Sequence, residues 1–240
     1  SPVLIKNYLP TMNRSEIFLV MVSGMGTIAG SVMGTYIGML GGTDPAAKVL
    51  FATHLLSASV MAVPGSIVLA KMLCPQTEEA TDHVAISGKE KENSNILDAI
   101  SSGTVTGVKL MTNIAAMLLV FISLVALANY ITEGVIGRYT GLNDWIVKIT
   151  DGKAQGLTFQ FILGVITSPF MWLIGVPSQD IMLVGSLLGQ KTILNEFVAY
   201  FQLQQWKDAG LFMYEKSILM STYILCGFAN ISSIGILLGG

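Results

Sequence analysis

The chain has 240 residues, 52% of them apolar and only 12% charged, against about 25% charged in soluble domains. Thirteen basic and fifteen acidic residues leave a net charge of −2, so there is no basic face for nucleic acid. Cys74, Cys226, His54 and His83 are scattered, which excludes a disulfide framework or a zinc spacing, and the composition points to lipid as the solvent.

A spanning helix needs about 20 predominantly apolar residues, and stretches free of Asp, Glu, Lys and Arg predict where such helices lie. Residues 1–10 form a short apolar piece without an initiator Met or a signal peptide. The other end, "GILLGG", stops inside an apolar run, so the sequence reads as a piece of a longer membrane protein. Residues 17–43 predict a first span, rich in glycine through "SGMGTIAGSVMGTYIGMLGG". Residues 49–70 predict a second, with Pro64-Gly65 in its middle. The segment 75–98, "PQTEEATDHVAISGKEKENSNILD", is charged and lacks aromatics, and reads as a solvated loop. Residues 110–131 are the cleanest span. A shorter polar link follows at 132–153, with Tyr139 and Trp145 as interfacial anchors. Residues 154–176 have the length of a span, weakened by Pro169 and several glycines.

Residues 177–203 behave differently. Asp180, Lys191 and Glu196 interrupt them, and the apolar runs flanking "GQKT" are each too short to cross alone. Two half-length helices meeting at a polar tip make a re-entrant hairpin, whose irregular backbone survives only inside protein or beside a cavity. Residues 217–240 predict the last span, broken by "GFANISS" at 227–233. This break and "SGMGTIAGS" in the first span occupy corresponding places in two halves of the chain. Such paired broken segments are the best sequence pointer to a transporter binding site. Basic residues fall on both sides of the predicted spans and do not fix orientation.

Glu196 carries the chemistry. A carboxylate at membrane depth costs about 2.5–3.5 kcal/mol on insertion scales, so it needs a partner, a cavity or a ligand. A structural pair with Lys191 is one solution; accepting hydrogen bonds from a ligand's hydroxyl groups is the other. Asn230, Ser232 and Ser233 offer donors and acceptors where the last helix unwinds, either for helix packing or for a polar ligand. Gly24, Gly26 and Gly30 do not match a dinucleotide fingerprint; they favour close helix packing, while unwound carbonyls and the Thr27 hydroxyl offer a cation site. "GSLLGQKT" has Gln190 where a phosphate-binding loop needs glycine before lysine. No triad or acid–base pair is arranged for catalysis, and the reading is of a protein that is not an enzyme.

Taken together, "GMGTIAGSVMGTY", "SVMAVPGSIVLAKMLCPQTEEA", "KLMTNIAAMLLVFISLVAL", "SPFMWLIGVPSQD", "GSLLGQKTILNEFVAY" and "CGFANISSI" resemble the concentrative nucleoside transporter family, in that family's order and over most of the chain. The resemblance implies an all-α polytopic membrane protein of inverted-repeat transporter architecture, with broken helices and a re-entrant hairpin. Residues 1–73 would be the first half of a transport domain, 74–104 a cytoplasmic loop and 105–133 a scaffold helix at a homotrimer interface. Residues 134–176 would be a polar link and an interfacial helix, and 177–240 the second half of the transport domain.

By the same resemblance, Glu196, Asn230 and Ser233 would hold ribose hydroxyls, and Val32 and Phe228 would pack near the base. Thr27 and Ile28 would serve the coupling ion, sodium or a proton, with no other cofactor. Thr27 stands where the family more often has serine. The family's "GQTE" tip on the first hairpin and its final helix lie outside these 240 residues, so this fragment is expected not to transport alone. The implied function is nucleoside import in symport with sodium or protons across a bacterial inner membrane. The alternatives are a non-transporting membrane module of the same architecture, or a transporter of another small polar solute.

Overall fold

A computed structural model describes residues 12–77, 95–150, 152 and 154–230. Among the described residues the regular elements are helices, with no strands. The first predicted span is two helices, α1 (Arg14–Gly26) and α2 (Gly30–Gly41). Asn13 caps α1 and Glu16 reaches back to the Asn13 amide, a capping box that fixes the start. Residues 27–29 are the break, and Thr27 and Ala29 are both extended. α3 (Pro45–Leu73) follows, with Asp44 as its cap and proline at its first position. Its 29 residues make about 43 Å of helix, enough to cross hydrocarbon with tilt.

The helix expected from residue 105 starts earlier than the sequence predicts. α4 runs Ile96–Asn129, capped by the Asn95 side chain on the Asp98 amide at 2.8 Å. Residues 96–104, assigned to the loop from sequence, are therefore helical. The cap sits before a stretch of small residues, "AISSGTVTG", whose weak apolar signal hid the first turns. The polar link after α4 is helical for most of its length: a wider-wound helical turn (Tyr130–Gly137), a short turn (Arg138–Thr140) and α5 (Leu142–Ile149). Tyr139 and Trp145 are exposed there, as interfacial anchors require.

α6 (Phe159–Ile174) has 16 residues, about 24 Å and too short for an upright span. Pro64 and Pro169 lie inside continuous helices, which membrane segments tolerate. α7 (Ile181–Ile193) and α8 (Glu196–Asp208) form a hairpin as expected, but "GQKT" is helical within α7 and the turn is Leu194 and Asn195. α7 packs on α6 through glycine: a Cβ at Gly185 would meet the Gly164 carbonyl at 3.0 Å, and one at Gly189 would collide with Leu163. Such seams bring membrane helices to backbone contact. α9 (Glu215–Leu225) ends at the second break. The rest of the second broken helix and the apolar piece 1–10 lie outside the described residues, as does most of the 75–98 loop.

The core joins the two halves of the chain. Tyr36 and Leu40 of α2 meet Phe51 and Leu55 of α3, Leu187 of α7, Ala199, Tyr200 and Leu203 of α8, and Leu225 of α9. Along α8 the buried positions are 196, 199, 200 and 203, one helical stripe. Glu196 is the charged member of that stripe. Lys207, at the far end of α8, donates to the Leu40 carbonyl and lies 5.2 Å from the centre of the Phe51 ring. A cation there complements the C-terminal end of α2 and ties the hairpin to the first half.

Candidate functional site

The site forms where the hairpin turn meets the two helix breaks. Asn195 opens α8 by accepting from the Val198 amide at 2.9 Å. Glu196 thereby sits in the first turn, where the helix dipole favours an anion. It is 4% exposed. Asn230 Nδ2 donates to Glu196 Oε2 at 3.0 Å, and Asn230 is itself buried. Two of the sequence-predicted residues, one from the hairpin and one from the second break, are thus brought into direct contact.

Lys191 makes no direct salt bridge to Glu196, although the two opposite charges are close enough to attract each other. Its ammonium donates to the Ile224 carbonyl at 2.9 Å and the Cys226 carbonyl at 3.2 Å. The Tyr200 hydroxyl donates to the Thr222 carbonyl at 2.8 Å. The last turn of α9 therefore unwinds with its carbonyls taken up by the hairpin, where a helix end would otherwise leave four orphans. At the other end of α9, the buried Asp180 carboxylate accepts from the Met213 and Tyr214 amides at 3.0 and 3.1 Å. Anion at the start and cation at the end is the arrangement the helix dipole favours.

Gly227 opens the second break with φ +103°, and a Cβ there would stand 2.9 Å from the Gly26 carbonyl oxygen. Only glycine combines that backbone angle with so close an approach. The end of α1 and the break after α9 therefore touch backbone to backbone. Gly26 serves this contact more than helix packing. Its own Cβ position has ordinary neighbours in Ser66 and Ala62, and Gly30 has open space around it.

Thr27 caps α1, and its hydroxyl donates to the Ser23 carbonyl at a long 3.4 Å. The hydroxyl oxygen and the carbonyls at this break are hard oxygen donors, the chemistry a sodium ion takes. Ile28 and Val32 are partly buried and pack against the edge of the core cluster. Phe228 is half-buried beyond Gly227. Ser233 lies outside the described residues.

The roles of three contributors escaped the sequence reading. Asp180 and Lys191 stand eleven residues apart, about three helical turns and so on one face of α7; that spacing was the available signal. Tyr36 stacks on Tyr200 with ring centroids 4.0 Å apart, and its buried hydroxyl has no protein partner among the described residues. The stack places it beside the α8 face that carries Glu196, one turn before Tyr200.

Half-length paired helices, two breaks in contact and a buried polar pair define a helical integral membrane protein of transporter fold. Residues 54–240 match the family described as Na+ dependent nucleoside transporter C-terminus, and the chain belongs to that family. It is 38% identical to the sodium/nucleoside cotransporter 1 of Sus scrofa, over the whole of this chain and 36% of that one. It is 37% identical to an uncharacterised transporter of Haemophilus influenzae, over the whole of this chain and 53% of the relative. The chain thus spans about half or less of the length of these relatives. Among solved structures, CNTnw in an inward-facing substrate-bound state superposes with a TM-score of 0.74 at 35% identity, covering 99% of this chain and 51% of that one. A variant of the same transporter in an intermediate state gives a TM-score of 0.76 at 36% identity, covering 100% and 53%.

Proposed function

We propose that the protein of which these residues form part imports nucleosides in symport with sodium. The observation that carries this reading is the buried Glu196–Asn230 pair at the hairpin turn. A carboxylate accepts two donors at once, and Asn230 occupies one oxygen. A vicinal diol is a two-donor ligand of matching geometry, so the ribose 2′ and 3′ hydroxyls belong on Glu196 and Asn230, with Ser233 as a third contact. Val32 and Phe228 line the base side. Thr27, by its hydroxyl, and Ile28, by its carbonyl, hold the coupling ion.

Residues 1–73 and 177–240 act as one transport domain, joined by the Lys207 and Gly227 contacts between the halves. α4 is the scaffold at a homotrimer interface. In support, its apolar residues Val105, Met111, Leu119 and Leu127 are more than half exposed in the single chain, a surface that lipid or a second copy covers. Binding of sodium and nucleoside to one conformation couples the two, and the sodium gradient drives uptake.

The test is uptake of radiolabelled uridine by the full-length protein in proteoliposomes. Uptake is expected with an inward sodium gradient and not with choline in its place. Uptake driven equally by a proton gradient in sodium-free buffer overturns the sodium assignment. Inhibition by free ribose but not by other nucleosides overturns the substrate.

A further inference from the structure

Among the described residues, Lys191 is a buried cation that reaches carbonyls in place of a carboxylate. It is 6% exposed, and its hydrogen bonds go to the backbone at the point where α9 stops being helical. Leaving an ammonium at this depth without a role is costly. The chain continues from those carbonyls as "GFAN", with Gly227 at a positive φ and Asn230 bound to Glu196. The hairpin therefore grips the break twice, with Lys191 at its entry and Glu196 at its exit.

The two breaks differ in how their carbonyls are met. At the first, the side-chain donor among the described residues is Thr27's own hydroxyl, on the Ser23 carbonyl at 3.4 Å. At the second, a tethered ammonium stands among the carbonyls at 2.9 and 3.2 Å. We propose that Lys191 is a positioning residue for substrate, a built-in cation that holds the second break unwound so that Asn230 faces Glu196 across the ribose site. This rests on the nucleoside reading for the identity of the ligand, but not for the geometry it predicts.

The experiment uses the full-length protein in detergent. Hydrogen exchange of the amides at 226–230 is measured without ligand in the wild type and in Lys191→Met. Uridine affinity is then measured for wild type, Lys191→Met, Asn230→Ala and the double variant. We expect at least roughly tenfold faster exchange at 226–230 in Lys191→Met and at least roughly tenfold weaker uridine binding. In the Asn230→Ala background the same substitution should weaken binding by less than about threefold, since Lys191 acts through Asn230. Unchanged exchange at 226–230, or losses that multiply in the double variant, overturns the proposal. If Lys191→Met does not fold, Lys191→Gln keeps an N–H donor for one carbonyl and is read by the same criteria at smaller amplitude. A wild type that binds no uridine sinks the nucleoside reading, while the exchange comparison still decides the role of Lys191.

Discussion

The two helix breaks occupy equivalent places in the two halves of the chain, yet they are finished in opposite ways. α1 ends on glycine and threonine, with its terminal carbonyls facing the Gly227 backbone and, among the described residues, a long bond from the Thr27 hydroxyl to the Ser23 carbonyl. α9 ends on carbonyls taken up by Lys191 and Tyr200, both from the hairpin. On the proposed function, the first break keeps oxygen valences for an ion that comes and goes. The second is closed by side chains that cannot leave. Irregular backbone at membrane depth must have its carbonyls satisfied, and on the proposed function these two breaks represent the two ways of doing so: with cargo, or with a group the chain itself carries.

Substitutions at the two breaks test that contrast, and their expected effects fall in a definite order. Glu196→Gln, at the exit of the closed break, removes the charge that strengthens its hydrogen bonds. Uridine affinity by calorimetry should fall on the order of 100-fold, converting the loss of about 3 kcal/mol that charged bonds carry. Gly227→Ala attacks the contact between the breaks. Its φ of +103° and the 2.9 Å approach to the Gly26 carbonyl should cost about 2 kcal/mol or more in unfolding free energy and reduce uptake in proteoliposomes. Thr27→Val, at the open break, removes a hydroxyl while keeping the shape. The sodium concentration for half-maximal uptake should rise roughly tenfold, with uridine affinity at saturating sodium unchanged, and Thr27→Ser should behave as wild type. Asp180→Asn, at the far end of α9, loses a charge from its two amide bonds. Thermal melts should show a loss of about 1–2 kcal/mol, with uridine affinity within about threefold of wild type.

The sequence spoke clearly where residue type and physics coincide. The apolar run predicted at 49–70 lies inside α3, and Asp44-Pro45 carries its start four residues further out by capping. Glu196 stands out because an acid on a buried helical stripe contradicts its surroundings. Its contact with Asn230, 34 residues on, was foreshadowed by two polar interruptions in neighbouring apolar runs. What stayed hidden involves partners without a side-chain signature. Lys191 binds carbonyls, which every residue has, so nothing at 224 or 226 announces it. Asp180 binds amides, and was hidden for the same reason. The early start of α4 was masked by small residues that score as loop until Asn95 is known to cap them.

The fastening of α9 has a mechanical consequence. Asp180 and Lys191 clasp it at both ends along the parallel run of α7, so the two helices resemble a beam fixed to a rail at two points. A beam held at one end can swing, but one held at both passes a push along its length without bending. On the proposed function, a ligand would reach Glu196 either by parting the hairpin turn from the Asn230 side or by carrying beam and rail together. An opening that peels α7 away from α9 must first break a carboxylate fork or pull an ammonium from its carbonyls.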